Sequence, residues 1–443
     1  MITFAMPILL SEVFQNLYNS VDSIVVGNCV GVEALASVTS SADISQMIIG
    51  FFTGLSAGSG VLFSRCFGAK DQEHLHRAIH TSMLFSLILG VAMAALGIVF
   101  TPLLLRLVKC PEDVYDQSMI YLRIYLIGVF LTSVYNIASG VLRSVGDSRT
   151  PFYYLVLASC VNVFLDLLLV AVFGMGVAGV AIATILSQAF SSILVLRRML
   201  RTNDVYRLVP GDLKIEADIL KEIMILGMPA GIQSCIISFS NLFVQRYLNS
   251  FGSAAMAGAG AAKKIDKYLG LVGNSIGLSV TTFVSQNVGA KDYRRAFSGI
   301  KTAMLLCLGF NIVIGIPIYY FAPYCVRLFS ANEGAIYYGT MLIHVMIPLY
   351  YAQSLHNVFG NVVRGFGKSV VTMITAITAM VVCRQIFLAI AMNIDYRLEF
   401  VFFAYPFGWI CAAVFEAAYF LFAILRPIKK SENKEKTESW TRT

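Results

Sequence analysis

Asp22 is the most chemically loaded residue near the start of the chain, set in the apolar run QNLYNSVDSIVVG, residues 15–27. A carboxylate inside a bilayer costs roughly 2.5–3.5 kcal/mol even on insertion scales, so its presence there asks for a purpose. Its neighbours supply one. Glu12, Gln15, Asn16, Asn19, Asp22 and Ser23 fall within an arc of about 120° on a helix, at about 100° per residue. Leu9, Leu10, Val13, Leu17, Val21 and Ile24 fall mostly elsewhere. A stripe this polar lines a water-filled cavity or a polar helix interface rather than lipid.

A second acid stands ready to join it. The stretch SCVNVFLD, residues 159–166, puts Ser159, Asn162 and Asp166 on one helical face, and Thr184 and Gln188 lie one turn apart in the following stretch. Two carboxylates with amide and hydroxyl oxygens suit a hard cation such as Na⁺ at Asp22 and Asp166. They suit a shared proton equally well, because paired carboxyls titrate as one unit. The plainer alternative is that both acids only fasten polar contacts between helices.

The second half of the chain keeps a polar stripe without the acid. Ser234, Ser238, Asn241 and Gln245 fall within about 60°, while Val244 stands where Asp22 would be. Nearby, KKIDK (263–267) carries Lys263, Lys264 and Asp266, and Lys263 can pair with Asp266 at i, i+3. Arg123, Arg246, Arg384 and Glu416 are further charges within apolar stretches, suited to inter-helix ion pairs or to snorkelling.

The elements that must hold these groups are legible in the composition. Hydrophobic residues are 58% of the 443 and charged residues 13%, against about 25% charged in soluble proteins. Apolar stretches of roughly 20 residues or more, long enough to cross about 30 Å of hydrocarbon, cover 3–26, 36–63, 78–100, 116–142, 151–173, 176–200, 223–250, 257–285, 297–322, 334–363, 370–392 and 400–426. The class is an all-α polytopic membrane protein with twelve transmembrane helices. The first stretch has no basic n-region and no A-x-A site, so it is a retained span rather than a signal peptide.

Lys and Arg set the orientation. With the N-terminus inside, 23 of them lie in cytoplasmic segments, against Arg106, Lys109, Arg327 and Arg397 on the other side. Both termini are therefore expected in the cytoplasm of a cell-membrane protein. The net charge of +8 is this same bias, which argues for anionic membrane lipid as a partner and not for nucleic acid. Nine cysteines, without a C-x-x-C pair, imply neither disulfides nor a metal.

The chain is written twice. RCFGAKDQEHLHRAIHTSM (65–83) lies against QNVGAKDYRRAFSGIKTAM (286–304), and YNIASGVLRSVGDS (135–148) against HNVFGNVVRGFGKS (356–369), both 221 positions apart. Each copy holds six spans, an even number, so both insert in the same sense. This is a parallel internal repeat of two six-helix lobes. The expected domains are an N-lobe at 1–200, a cytoplasmic linker at 201–222, a C-lobe at 223–426 and a charged cytoplasmic tail at 427–443, too polar to fold alone.

Three motifs resemble chemistry and are better explained otherwise. GLSAG (54–58) matches G-x-S-x-G but lies within a span instead of a strand-to-helix turn. GMGVAG (174–179) matches G-x-G-x-x-G but follows an apolar stretch and lacks the later acid, so its glycines make a tight hairpin. His76 and His80 stand one turn apart, yet the second copy, RRAFSGIK (294–301), has no histidine. That stretch reads as a solvated helix start.

Taken together, Pro7, Asp22 and Gly27 in the first span, GAKD after the second and eighth, LRSVGDSRTPF after the fourth, and NVFLD…GMGVAGVAIAT through the fifth and sixth resemble the multidrug and toxic compound extrusion (MATE) family across nearly the whole chain. The resemblance implies a secondary antiporter, not an enzyme, that exports small organic compounds, often cationic amphiphiles. Exchange would be for H⁺ or Na⁺ by alternating access of two lobes, with no cofactor beyond that ion and a monomeric state. It also carries Asp22, Asn162, Asp166 and Thr184 onto the family's N-lobe cation site, and places Gln15 in the same cavity. Asn19, Gln188, Asn241 and Gln353 complete the expected substrate cavity. Some branches carry a glutamate in helix 7 and an aspartate in helix 10, where this chain has Ile237 and Gln353. The basic leader often found before helix 1 is missing, so the N-terminus reads as truncated. Two rivals are a flippase for a lipid-linked oligosaccharide, which would gather Lys263, Lys264, Arg246 and Arg384 inward, and an intramembrane enzyme.

Overall fold

The computed structural model describes residues 1–108 and 110–430, without the side chains of Val32 and Asp43. The expected tail from 431 onward and Lys109 lie outside the described residues. Among the described residues the regular structure is helical throughout, as lipid requires of a chain whose backbone groups must be satisfied internally.

All twelve apolar stretches read from the sequence fall on helix. We number these α1 (Ile2–Cys29), α2 (Val32–Ala69), α3 (Gln72–Leu107), α4 (Glu112–Ile127 and Val129–Ser144, bent by 44°), α5 (Arg149–Val172) and α6 (Gly176–Arg201). The second set is α7 (Ala217–Asn249), α8 (Ser253–Gly289), α9 (Tyr293–Tyr320), α10 (Glu333–Gly365), α11 (Ser369–Ile394) and α12 (Leu398–Lys430). Among the described residues, nine helices are long and apolar enough to cross a membrane, and the bent pair in α4 makes ten. The remaining two, α1 and α8, have 28 and 37 residues. Their length suffices; the polar stripe around Asp22 and the KKIDK segment hold down their apolar character. Helix α12 runs on through Lys430, so the segment from 427 begins as helix.

The backbone repeats with the sequence. Left-handed φ values occur at Gly31 and Gly252, Lys70 and Lys291, and Gly146 and Gly367, each pair 221 residues apart. The two lysines explain GAKD. Lys70 closes α2 in the left-handed conformation at φ 59°, where its N–H bonds Phe67 O at 3.1 Å and the Asp71 N–H bonds Cys66 O at 3.0 Å. That is the paired closure that satisfies a helix's last carbonyls. Asp71 then caps α3 by accepting from His74 N at 3.0 Å. Lys291 and Asp292 repeat the closure on Val288 O and Asn287 O at 3.1 and 2.8 Å.

The chain divides into two compact units. One comprises Ile2–Cys235 with Ser285–Asp292; the other comprises Ile236–Val284, Tyr293 onward and Met1. The division falls within α7 rather than at 201–222, because that linker is bound into the first unit. Its Val209 N–H donates to His80 Nε2 at 2.9 Å, and Thr81 Oγ1 donates to Lys214 O at 3.2 Å. Arg77 bonds Glu216 and also Asp218, the latter at 2.7 Å. The Arg77 guanidinium holds the Glu216 carboxyl below its ordinary range.

GLSAG is a packing surface, as its position within a span predicts. A Cβ at Gly54 would lie 2.6 Å from the Ala230 carbonyl, so α2 and α7 approach backbone to backbone there. GMGVAG is a hairpin: Gly174 and Gly176 take φ of 67° and 57° between α5 and α6.

Candidate functional site

The site is built on α1 and α5 of the first unit. On α1 the polar stripe points inward: Tyr18 and Asp22 are each 8% exposed, whereas Leu17 and Ile24 are 47% and 60% exposed. Several stripe residues fold back on their own helix. Asn16 Nδ2 donates to Glu12 O at 2.8 Å and Ser23 Oγ donates to Asn19 O at 3.0 Å, the local bonding open to short polar side chains. Gln15 and Asn19 are half-buried.

On α5, Ser159, Asn162 and Asp166 are all buried, and Asp166 is fully so. Ser159 Oγ is committed to Leu155 O at 2.9 Å. Past Asp166 the helix widens to π geometry over Leu167–Val172, a distortion often found at functional positions. An apolar cluster of Val25, Val26, Tyr121, Val170, Val177, Val180 and Ala181 flanks the site.

The two carboxyls meet: Asp22 and Asp166 face each other closely enough to share a proton. Asp22 Oδ1, both Asp166 oxygens and both polar atoms of Asn162 are buried without a conventional hydrogen-bond donor or acceptor among the described residues. Burying so many unsatisfied polar atoms is costly. Two acids in contact become a hydrogen bond only when a proton lies between them; a cation accepting several oxygens would satisfy the same set. The residues present therefore fit either H⁺ or Na⁺, the latter by its preference for hard oxygen donors.

Thr184 on α6 is buried, with its hydroxyl donating to Val180 O at 3.0 Å. Its oxygen keeps lone pairs free, but no hydrogen bond among the described residues joins it to either carboxyl. Gln188 is half-buried and lies beside the Tyr18 hydroxyl, as does Gln15. Tyr18 is near Asp22, and Tyr121 from α4 is near both acids. Neither tyrosine stood out in the sequence, although Tyr18 sits three residues after Gln15 and four before Asp22, at the edge of the stripe.

Asn241 and Gln353 belong to the second unit, Asn241 exposed and Gln353 half-buried. The expected pairing of Lys263 with Asp266 gives way to other partners. Lys263 Nζ donates to Gln245 Oε1 at 2.9 Å, and the Tyr350 hydroxyl donates to Asp266. Neighbouring helices offer these groups better-placed partners than one turn of α8 does. Glu416 is buried against His356 Nδ1 at 2.9 Å, an ion pair when the histidine carries a proton. Arg123 and Arg246 are exposed.

His76, His80 and Asp212 come within ligating distance of one another, but His80 is already spent. Its Nδ1 bonds His76 O at 2.7 Å while its Nε2 accepts from Val209 N. His76 Nε2 bonds Asp212 Oδ2 at 3.0 Å. The trio is a clasp for the linker.

A family model described as MatE matches residues 7–168 and again 229–390, the two copies of the repeat. The chain is 32% identical over 355 residues to the probable multidrug resistance protein YoeA of Bacillus subtilis, covering 78% of this chain and 76% of the relative. It is 29% identical to the probable multidrug resistance protein YpnP of the same organism, covering 88% and 87%. Its fold is shared with a crystal structure of MATE in the straight conformation, at a TM-score of 0.90 and 23% identity over 97% of this chain and 96% of that one. The chain belongs to the MatE family, whose members are membrane transporters rather than enzymes.

Proposed function

We propose that this protein is a secondary antiporter that exports small organic compounds, cationic amphiphiles among them, in exchange for H⁺ or Na⁺. The observation that carries this reading is the buried contact of Asp22 with Asp166, together with the unsatisfied oxygens and amide around it. When the pair carries negative charge it favours a cation. Binding of the coupling ion neutralises it and weakens the hold on cationic cargo. A ligand that binds two states equally shifts neither, so coupling requires competition or opposite preference between ion and cargo. Asn162 and Thr184 would complete the coupling-ion site, with Gln15, Asn19 and Gln188 lining the approach on the first unit; Asn241 and Gln353 would face cargo on the second unit.

The names of YoeA and YpnP support drug-like cargo. We further propose cell-membrane residence as a monomer with both termini cytoplasmic, on the strength of the lysine and arginine bias. A flippase would gather four basic groups; Lys263 and Arg384 share one aromatic ring, but Lys264 lies over Phe329 instead, which favours the exporter. The test is uptake of a fluorescent cation by inverted vesicles, driven separately by a pH gradient and by a Na⁺ gradient. One of the two must energise uptake. Uptake indifferent to both gradients would overturn the antiport reading.

A further inference from the structure

Among its described residues, the second unit holds a buried cation that makes no ion pair. Arg384 on α11 is 2% exposed. Of its five N–H donors, one is engaged by Ser240 Oγ, at 2.8 Å from Nη2, while Nε is buried without a partner. The Ser240 hydroxyl is shared, since Gln385 Nε2 also bonds it at 3.2 Å. The guanidinium lies 5.8 Å from the centre of the Tyr405 ring. On the same ring, at 5.5 Å, sits the Lys263 ammonium from α8. Two cations thus converge on one aromatic side chain.

Among the described residues the acids of this unit other than Glu399 have hydrogen-bond or ion-pair partners other than Arg384, and Asp266 also acts on Lys263 electrostatically. Asp266 is bonded by Tyr350, Glu416 by His356, Asp395 by Arg397 and Glu333 by Arg327. Glu399 is exposed at the start of α12. A buried charge left uncompensated is strongly destabilising, and one cation–π contact recovers only part of the loss. A second cation on the same ring adds repulsion. An anion held on the free guanidinium N–H groups, beside the ring that Arg384 shares with Lys263, offsets both. Lys263, Gln245 and Tyr405 are half-buried, whereas Arg384 is buried.

We propose that Arg384 and Lys263 form a subsite for an anionic group, a carboxylate or phosphate, borne by the transported compound. Its cargo would then include zwitterions as well as simple cations. This inference rests on the transporter reading above and adds to it the chemistry of one end of the cargo. Tyr405 supplies a face for the adjoining apolar part, and Ser240 fixes the guanidinium so that Nε and the remaining N–H groups stay available. Guanidinium binding of carboxylate or phosphate is charge-assisted and directional.

The test uses the full chain in phosphatidylcholine nanodiscs with two dyes that differ by one methyl group. Rhodamine 110 carries a free carboxylate; rhodamine 123 is its methyl ester. Fluorescence anisotropy gives the ratio of their affinities for the wild type, Arg384→Gln and Lys263→Gln. The expected result is that Arg384→Gln lowers the carboxylate-to-ester ratio about tenfold and Lys263→Gln lowers it less. Ester binding should be unchanged, which also reports that each variant is folded. Equal ratios in all three proteins would overturn the subsite. An effect of Arg384→Gln seen only when phosphatidylglycerol is added would assign the site to lipid and overturn it as a cargo site. Gradient-driven uptake of rhodamine 123 separates the two claims. Uptake that still depends on Asp22, beside a flat ratio, removes the subsite and leaves the exporter; an Arg384-dependent ratio without Asp22 dependence does the reverse.

Discussion

Asp22 of α1 and Asp166 of α5 lie carboxyl to carboxyl in the first unit, both buried, with Asn162 one turn before Asp166 on the same face. Their sequence separation means that neither helix alone makes the pair: it exists only when α1 and α5 pack in register. Any change that slides one helix by a turn separates the two carboxyls.

Tyr18 ties this pair to its surroundings. Its hydroxyl lies beside Gln15 and Gln188 and within electrostatic reach of Asp22. Tyr18→Phe removes only the hydroxyl, so the fold should survive. A net hydrogen bond is worth about 0.5–1.5 kcal/mol, and the exchange rate should fall roughly 2- to 10-fold, with little further loss when Gln188→Ala is added. Additive losses in proteoliposome flux would show that the two side chains act separately.

Gly54 is a packing requirement. The Ala230 carbonyl is backbone on a continuous helix and cannot step aside for a Cβ that would stand 2.6 Å away. Gly54→Ala should cost about 1–3 kcal/mol, the range for overpacking, and lower the thermal midpoint in detergent. Gly146→Ala probes a different constraint: a Cβ there has open space, but φ is 99°, so its cost comes from backbone strain alone. A Gly54→Ala midpoint equal to wild type would show that α2 and α7 are not in backbone contact.

The linker clasp makes a pH-dependent contribution of known sign. Arg77 holds the Glu216 carboxyl below its ordinary value. A carboxyl depressed in the native state stabilises fully above its unfolded pKa, and that contribution is lost as pH falls through the native one. The gap in thermal midpoint between wild type and Arg77→Gln should therefore be constant above pH about 5 and shrink as the solution is acidified below the ordinary glutamate range near 4.3. Because the pair is only half-buried, at the surface, the gap should also narrow in high salt. A gap that widens on acidification would reverse the assignment.

Much of this was legible from residue spacing. The α1 stripe showed itself because Glu12, Gln15, Asn19 and Asp22 recur at three and four residues, and the structure turns that face inward while Leu17 and Ile24 face out. The repeat was equally plain, down to the left-handed lysines of GAKD. What escaped detection depends on neighbours far along the chain. Tyr18 and Tyr121 look like ordinary apolar-run aromatics until α4 and α6 arrive beside them. Lys263 and Asp266 stand at pairing distance along α8, yet Gln245 from α7 and Tyr350 from α10 take them first. The π turn after Asp166 leaves no mark on Leu167–Val172, a run of aliphatic residues like any other.

The most direct measurement is proton release by the purified protein in weakly buffered detergent, read with a pH-sensitive dye as Na⁺ or an organic cation is added. If Asp22 and Asp166 share a proton that the incoming cation displaces, wild type should release protons in saturable proportion to occupancy. Asp22→Asn and Asp166→Asn, each lacking half of the pair, should release almost none while remaining folded. Release from either variant equal to that of wild type, or organic-cation binding to wild type that neither releases protons nor competes with Na⁺, would contradict the account.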